Sequence, residues 1–213
     1  HGGTFAPTNH RRTTIQDPHA APADREAFTE GWFVDAMPDL NQRNPHLARY
    51  LIQNTLWWIE YAGLFGIRED TFGYADTQFL GDWAKAVLAE YPDFAMVGEE
   101  WSINPVVVAH WQRGKQNTSG HVPHMPSMMD FPIHIALRTA LTQPEGWDSG
   151  WVNLYEMLAN DFVYPDADAL VVFAENHDTS RLFAHLDGDL ATWKLGMAYL
   201  ATVRGTPCSS ITR

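Results

Sequence analysis

Gly66-Ile67-Arg68-Glu69-Asp70 is a short apolar segment that ends abruptly in Arg, Glu and Asp. It follows a helical run, Leu51 to Gly63, and opens into Thr71-Phe72-Gly73-Tyr74-Ala75-Asp76. In an α/β chain, a parallel strand delivers charged side chains to the rim of a sheet or barrel in this way. Two later segments repeat the pattern: Phe94-Ala95-Met96-Val97-Gly98-Glu99-Glu100 and Leu170-Val171-Val172-Phe173-Ala174-Glu175-Asn176-His177-Asp178. Three strand ends therefore carry carboxylates, and we read them as one site.

Helical patterns separate these strands. Asn44-Pro45 marks a helix start, with Asn as cap and Pro at the first helical position. Leu47, Tyr50, Leu51, Leu56, Trp57 and Ile59 then recur at helical spacing until Gly63. Asp76 is a cap for a helix reaching Glu90, with Phe79, Trp83, Val87 and Leu88 on its buried face. Further helices are expected at Asn104–Trp111, Ile133–Leu141, Trp151–Leu158 and Asp189–Val203. Leu170–Phe173 is a buried strand, Met128–Phe131 a weaker strand end, and Gly205-Thr206-Pro207 enters a final strand. Residues 1–45 read as loop, including Pro22-Ala23-Asp24, with a short extended piece at Trp32-Phe33-Val34. The alternation is βα repetition, hence an α/β fold in one domain spanning residues 1–213.

The bulk numbers set bounds. The 213 residues suffice for one sizeable core, and 45% hydrophobic with 19% charged residues marks a globular chain. A formal net charge of −12 argues against a nucleic-acid surface. No apolar run has transmembrane length, so no membrane role is expected. Cys208 is the single cysteine and permits no internal disulfide.

Three carboxylates on separate strand ends suit glycosidic bond cleavage. One attacks or stabilises the sugar carbon, a second protonates the leaving oxygen, and a third holds hydroxyls as the ring distorts. Arg68 would keep the nucleophile ionised and oriented. His177 is placed to donate to a substrate hydroxyl. Carboxylates at strand ends also bind metals, so the chemistry alone leaves that open. Tyr74, Trp101 and Trp32 are candidate sugar platforms. Asp130 is either a rim residue touching substrate or the cap of the helix that follows. The polar loop His10-Arg11-Arg12 with Asp17 could line a subsite. His121 and His124 have a spacing that suits zinc but no third ligand nearby, so no metal is assigned. Alternation along a strand cannot choose between Glu99 and Glu100.

The blocks Gly66-Ile67-Arg68-Glu69-Asp70, Val97-Gly98-Glu99 and Glu175-Asn176-His177-Asp178 resemble the conserved blocks of the α-amylase family, a group of (β/α)8 glycoside hydrolases. Met37-Pro38-Asp39-Leu40-Asn41 is similar to the marker of its neopullulanase/cyclomaltodextrinase branch, which includes the maltogenic amylases. The resemblance implies that Asp70 is the nucleophile, Glu99 the general acid/base and Asp178 the transition-state carboxylate. Arg68 would contact the nucleophile and His177 bind sugar. It implies retaining cleavage of α-1,4 or α-1,6 glucosidic bonds in α-glucan or cyclodextrin substrates. A non-catalytic glucan-binding scaffold and transfer to sugar acceptors are the rival readings. No cofactor is assigned; calcium and a homo-oligomer stay open for the full-length parent. The family's early Asp-x-x-x-Asn-His block is missing, and Cys208–Arg213 departs from its apolar strand. The chain therefore reads as the C-terminal half of a (β/α)8 TIM barrel, from about strand 4 to the start of strand 8. Such a half is either a fragment or completed by another chain, and turnover is expected of the parent. Phe65 stands where the family often has Asp or Gly, and is expected to crowd the strand.

Overall fold

The computed structural model describes residues 10–34 and 36–209. The chain divides into two compact units, His1–Glu99 with Gln116–Met125, and Glu100–Lys115 with Pro126–Arg213.

In the first unit, α1 (Pro22–Glu30) occupies a stretch expected to be loop. Pro22 at the helix start fixes φ without wasting an N–H. Ala23, Arg25, Glu26 and Ala27 are strong helix formers, and Phe28 anchors the helix by burial. Trp32-Phe33-Val34 forms no strand. α2 (Pro45–Ala62) begins as expected: the Asn44 side chain accepts from the N–H groups of His46 and Leu47. It ends at Gly63, whose left-handed φ of 61° returns an N–H to the Ile59 carbonyl. β1 (Gly66–Glu69) follows, then a 3-10 turn over Phe72–Tyr74. Asp76 caps α3 (Thr77–Glu90) by accepting from Phe79 N–H. Leu80, Trp83, Ala84 and Val87 form its buried face, and Trp83 Nε1 donates to Thr55 Oγ1 on α2 at 2.9 Å. β2 (Ala95–Gly98) lies parallel to β1, with Arg68 opposite Val97 and Glu69 opposite Gly98.

In the second unit, Asn104 caps the short α4 (Pro105–Ala109). β3 (Ser127–Met128) leads into α5 (Phe131–Thr142), and α6 (Val152–Leu158) follows. β4 (Val171–Phe173) pairs in parallel with β5 (Thr206–Cys208). Between them stand α7 (Leu182–His185), which has too few residues for periodicity to reveal, and α8 (Leu190–Thr202) capped by Asp189. The core packs Ile133, Leu137, Leu154, Val172, Leu182 and Leu200. Pairing with β4 thus extends to Cys208, while Ser210–Arg213 of the divergent tail lie outside the described residues.

Among the described residues the five strands close no barrel; they are part of one. Phe65 does not crowd β1. It is 95% exposed, and the strand begins one residue later.

Gly205 sets the entry into β5. Its φ is +94°, and a Cβ there would lie 2.7 Å from the Leu170 carbonyl oxygen. That carbonyl accepts from Thr206 N–H at 2.8 Å. Both the backbone conformation and the close approach demand glycine. Gly205→Ala should therefore destabilise the fold by about 1–3 kcal/mol, measured by denaturant unfolding; an unchanged midpoint would contradict this account.

Candidate active site

β1 and β2 are neighbours in register, so their ends present side chains side by side. Glu99 N–H donates to the Glu69 carbonyl at 3.0 Å, extending the ladder one residue past β2. Arg68 is the hub. Its Nη1 donates to Asp70 Oδ1 at 2.7 Å, and its Nη2 donates to Glu99 Oε1. One planar guanidinium thus holds two carboxylates at once through donors whose directions the rigid fork fixes. Burial alone would lower the Arg68 pKa, but the bonds and charges of Asp70 and Glu99 outweigh it and raise it.

The two acids differ in setting. Asp70 keeps about half of its side chain exposed, whereas Glu99 is only 4% exposed. Burial raises the Glu99 pKa; Thr71 N–H and Arg68 pull against it, while the nearby Asp70 charge adds to the rise. A protonated Glu99 can also donate to Asp70, which works in the same direction. A carboxyl whose pKa is raised by burial and a neighbouring charge is suited to hold a proton.

Thr71 was not singled out from the sequence. It adopts left-handed φ 46°, ψ 41°, an uncommon choice for a β-branched residue. The turn aims Thr71 N–H at Glu99 Oε2, 3.0 Å away, and Phe72 N–H at the Glu99 carbonyl, 2.8 Å away. Two successive backbone donors therefore fix residue 99. A threonine after a strand-end Asp carries no sequence signal for this conformation.

Glu99 and Glu100 have different surroundings. The strand ends at Gly98, so alternation does not govern either residue. Glu99 joins Arg68, whereas Glu100 is buried and accepts from Trp111 Nε1 at 2.8 Å.

The Met37–Asn41 loop lies beside Asp70. With Glu69, Asp70 and Tyr74 it lines a cavity of about 220 Å³. Tyr74 rests against Phe28 and Phe33, with ring centroids 5.0 and 4.9 Å away, and its hydroxyl accepts from Arg12. Arg11 pairs with Asp24 at 2.8 Å, which ties the polar loop to α1. Trp32 lines a neighbouring cavity of about 200 Å³ with Asp39 and Asp76.

The remaining candidates lie in the second unit. Trp101 is partly exposed and stacks on Phe131 at 4.7 Å. Asp178 follows β4 in a tight turn, where its N–H donates to Asn176 Oδ1 at 3.1 Å. Its carboxylate stays exposed, with His177 Nε2 3.2 Å away. Asp130 reaches no surface. It is 0% exposed, accepts from Ile133 N–H at 3.0 Å as the cap of α5, and is paired with Arg204. Arg204 also holds Asp161 through bonds of 2.9 and 2.5 Å. Of the two roles expected for Asp130, the structure displays the cap; a rim contact is not available to a carboxylate so enclosed. Among the described residues no three His, Cys, Asp or Glu groups converge to hold a metal ion. Burial lowers the His121 pKa to about 4. No helix among the described residues is long and apolar enough to cross a membrane.

Residues 3–209 match the family model described as alpha amylase, catalytic domain. The chain belongs to the α-amylase family. It is 30% identical over 179 residues to a cyclomaltodextrinase of a Bacillus species, covering 83% of this chain and 29% of that protein. To neopullulanase 2 of Thermoactinomyces vulgaris it is 27% identical over 180 residues, covering 82% and 28%. The crystal structure of the α-amylase from Geobacillus thermoleovorans complexed with acarbose superposes with a TM-score of 0.73 at 29% identity, covering 94% of this chain and 42% of that one. These relatives set the chain close to the cyclomaltodextrinase, neopullulanase and maltogenic amylase branch. It spans under a third of the length of the two curated relatives.

Glu69 yields a stability prediction. Its pKa is raised by burial and by the Asp70 charge, with Arg68 opposing. A carboxyl whose pKa rises on folding opposes folding above that pKa. The penalty fades as pH falls, and vanishes below the ordinary value of roughly 4.3, where both states are protonated. Glu69→Gln should therefore raise the melting temperature at pH 7, with the gain shrinking toward pH 4. Thermal unfolding across pH checks this; a gain that grows at low pH would refute it.

Proposed function

We propose that the full-length protein carrying this chain is a retaining glycoside hydrolase. It cleaves α-1,4 glucosidic bonds, and α-1,6 bonds as a second linkage, in cyclodextrins, pullulan, starch or maltooligosaccharides. The observation that supports this most directly is the Arg68 guanidinium bound to both Asp70 and Glu99. Retention needs a nucleophile and an acid separated by one reacting centre, roughly 5 Å. The names of the cyclomaltodextrinase and neopullulanase relatives support the substrate class.

In this reading Asp70 attacks the anomeric carbon, forming a glycosyl ester as the bond to the leaving oxygen breaks. Arg68 orients Asp70 toward the sugar through its bond to Oδ1. Glu99, whose pKa burial raises, gives a proton to the departing oxygen. The resulting carboxylate then takes a proton from water, which attacks the anomeric carbon as its bond to the Asp70 oxygen breaks and Asp70 leaves as a carboxylate. Asp178 takes the third role by family pattern, binding hydroxyls of the distorted ring, with His177 donating to a hydroxyl beside it. Tyr74 and Trp101 offer ring faces to the glucan.

Asp70→Asn and Glu99→Gln in the full-length protein should each lower turnover of cyclodextrin by at least about 10²-fold. Product released by the parent should carry the α configuration when observed by NMR before mutarotation. Unchanged turnover in both variants, or β product, would overturn the assignment. Binding of maltooligosaccharide without release of reducing sugar would instead identify a scaffold.

A further inference from the structure

The segment Ala174–Ser180, which carries His177 and Asp178, leaves β4 and returns to α7. No strand pairing holds it among the described residues, so its shape depends on other hydrogen bonds. Three are internal. Asp178 N–H donates to Asn176 Oδ1, Asn176 N–H donates to Thr179 Oγ1 at 2.9 Å, and Thr179 N–H donates to the Asn176 carbonyl at 3.4 Å. These fix the turn's own form but not its position on the protein.

Position comes from α5. Arg138 reaches both ends of the segment. Its Nη1 donates to the Ala174 carbonyl at 3.3 Å and to the Ser180 carbonyl at 3.0 Å, while its Nη2 donates to Ser180 Oγ at 2.7 Å. One guanidinium therefore closes the base of a seven-residue loop. One helical turn earlier, on the same face of α5, His134 supports the approach to that loop. Its ring stacks on Phe173 at 4.5 Å, and its Nδ1 lies 3.3 Å from the Phe173 carbonyl oxygen. His134 is buried, and burial lowers its pKa to about 4, so it stays neutral. Glu175 is engaged on the far side, accepting from Arg181 at 2.7 Å and from Leu182 N–H.

We propose that Arg138 is a positioning residue that sets the placement of Asp178 by clamping the two ends of its loop. The proposal rests on the reading of Asp178 as the third carboxylate of a glycoside hydrolase. It differs from a general stabilising role in one respect: the effect of Arg138 on rate must pass through Asp178.

The test is a double-mutant cycle in the full-length protein, with cyclodextrin turnover as readout. Arg138→Met should lower kcat by roughly 10- to 100-fold, the scale of a misplaced reacting group, with a smaller change in KM. Arg138→Lys keeps one charged donor but loses the fork, and should fall between the two. Ser180→Ala removes a single bond and should give a milder loss in a protein that still folds. In the Asp178→Asn background each substitution should change kcat by less than about 3-fold, because residues that act as a unit are not additive. Equal loss with and without the Asp178 carboxylate would overturn the clamp while leaving the hydrolase reading intact. Full kcat in Arg138→Met would do the same. If Asp178→Asn alone leaves kcat unchanged, the assigned role of Asp178 falls, and the proposal falls with it.

Discussion

A single guanidinium organises the first unit's chemistry. Arg68 is partly exposed and carries two carboxylates of unequal burial. Without it, Asp70 and Glu99 would lie close together with no shared cation, one of them desolvated. The surrounding backbone serves the same pair. Parallel pairing of β1 with β2 brings the two strand ends together, and Thr71 accepts an unfavourable conformation so that two N–H groups meet residue 99. Strain of this kind persists only where neighbouring contacts over-determine it.

The second unit solves a different problem. Its acidic loop lies beyond β4 and lacks ladder bonds, so helices supply the constraint. α5 presents Arg138 and His134 to the loop's base, and it is itself capped by Asp130, which Arg204 ties to Asp161. A buried carboxylate paired with one cation and bonded to a helix N-terminus is fully engaged, which keeps its desolvation from unfolding the site. The same region bears two tyrosines whose hydroxyls are buried. The Tyr164 pKa is raised by burial, and that of Tyr199 to about 12 for the same reason.

Much of this was legible in the residues themselves, for physical reasons that can be named. Asn44-Pro45, Asp76 and Asp189 announce helices because a short polar side chain at a helix start satisfies orphan N–H groups. The Val171–Phe173 strand stands out because a buried parallel strand needs an unbroken apolar run. Arg68 and Asp70 were readable as partners because an Arg beside a strand-end carboxylate orients it by charge and hydrogen bonding. Other features depended on contacts that no local pattern encodes. α1 was hidden behind Pro22 and Asp24, which also suit a turn. Glu99 and Glu100 could not be separated, since the strand stops before both. Asp130 could serve as rim or cap until Arg204, 74 residues away, was seen to meet it. Arg138, on a helix read only as apolar packing, carried no motif.

The described end of the first sheet carries one further implication. β1 is a margin strand with Phe65 fully in water just before it, and Trp57 and Tyr61 stack in the open on α2. Unsatisfied main-chain groups beside bare aromatic rings favour edge-to-edge adhesion between copies. Preparations limited to these residues would therefore be prone to clump at high concentration, and colloidal behaviour rather than catalysis would govern how they can be handled.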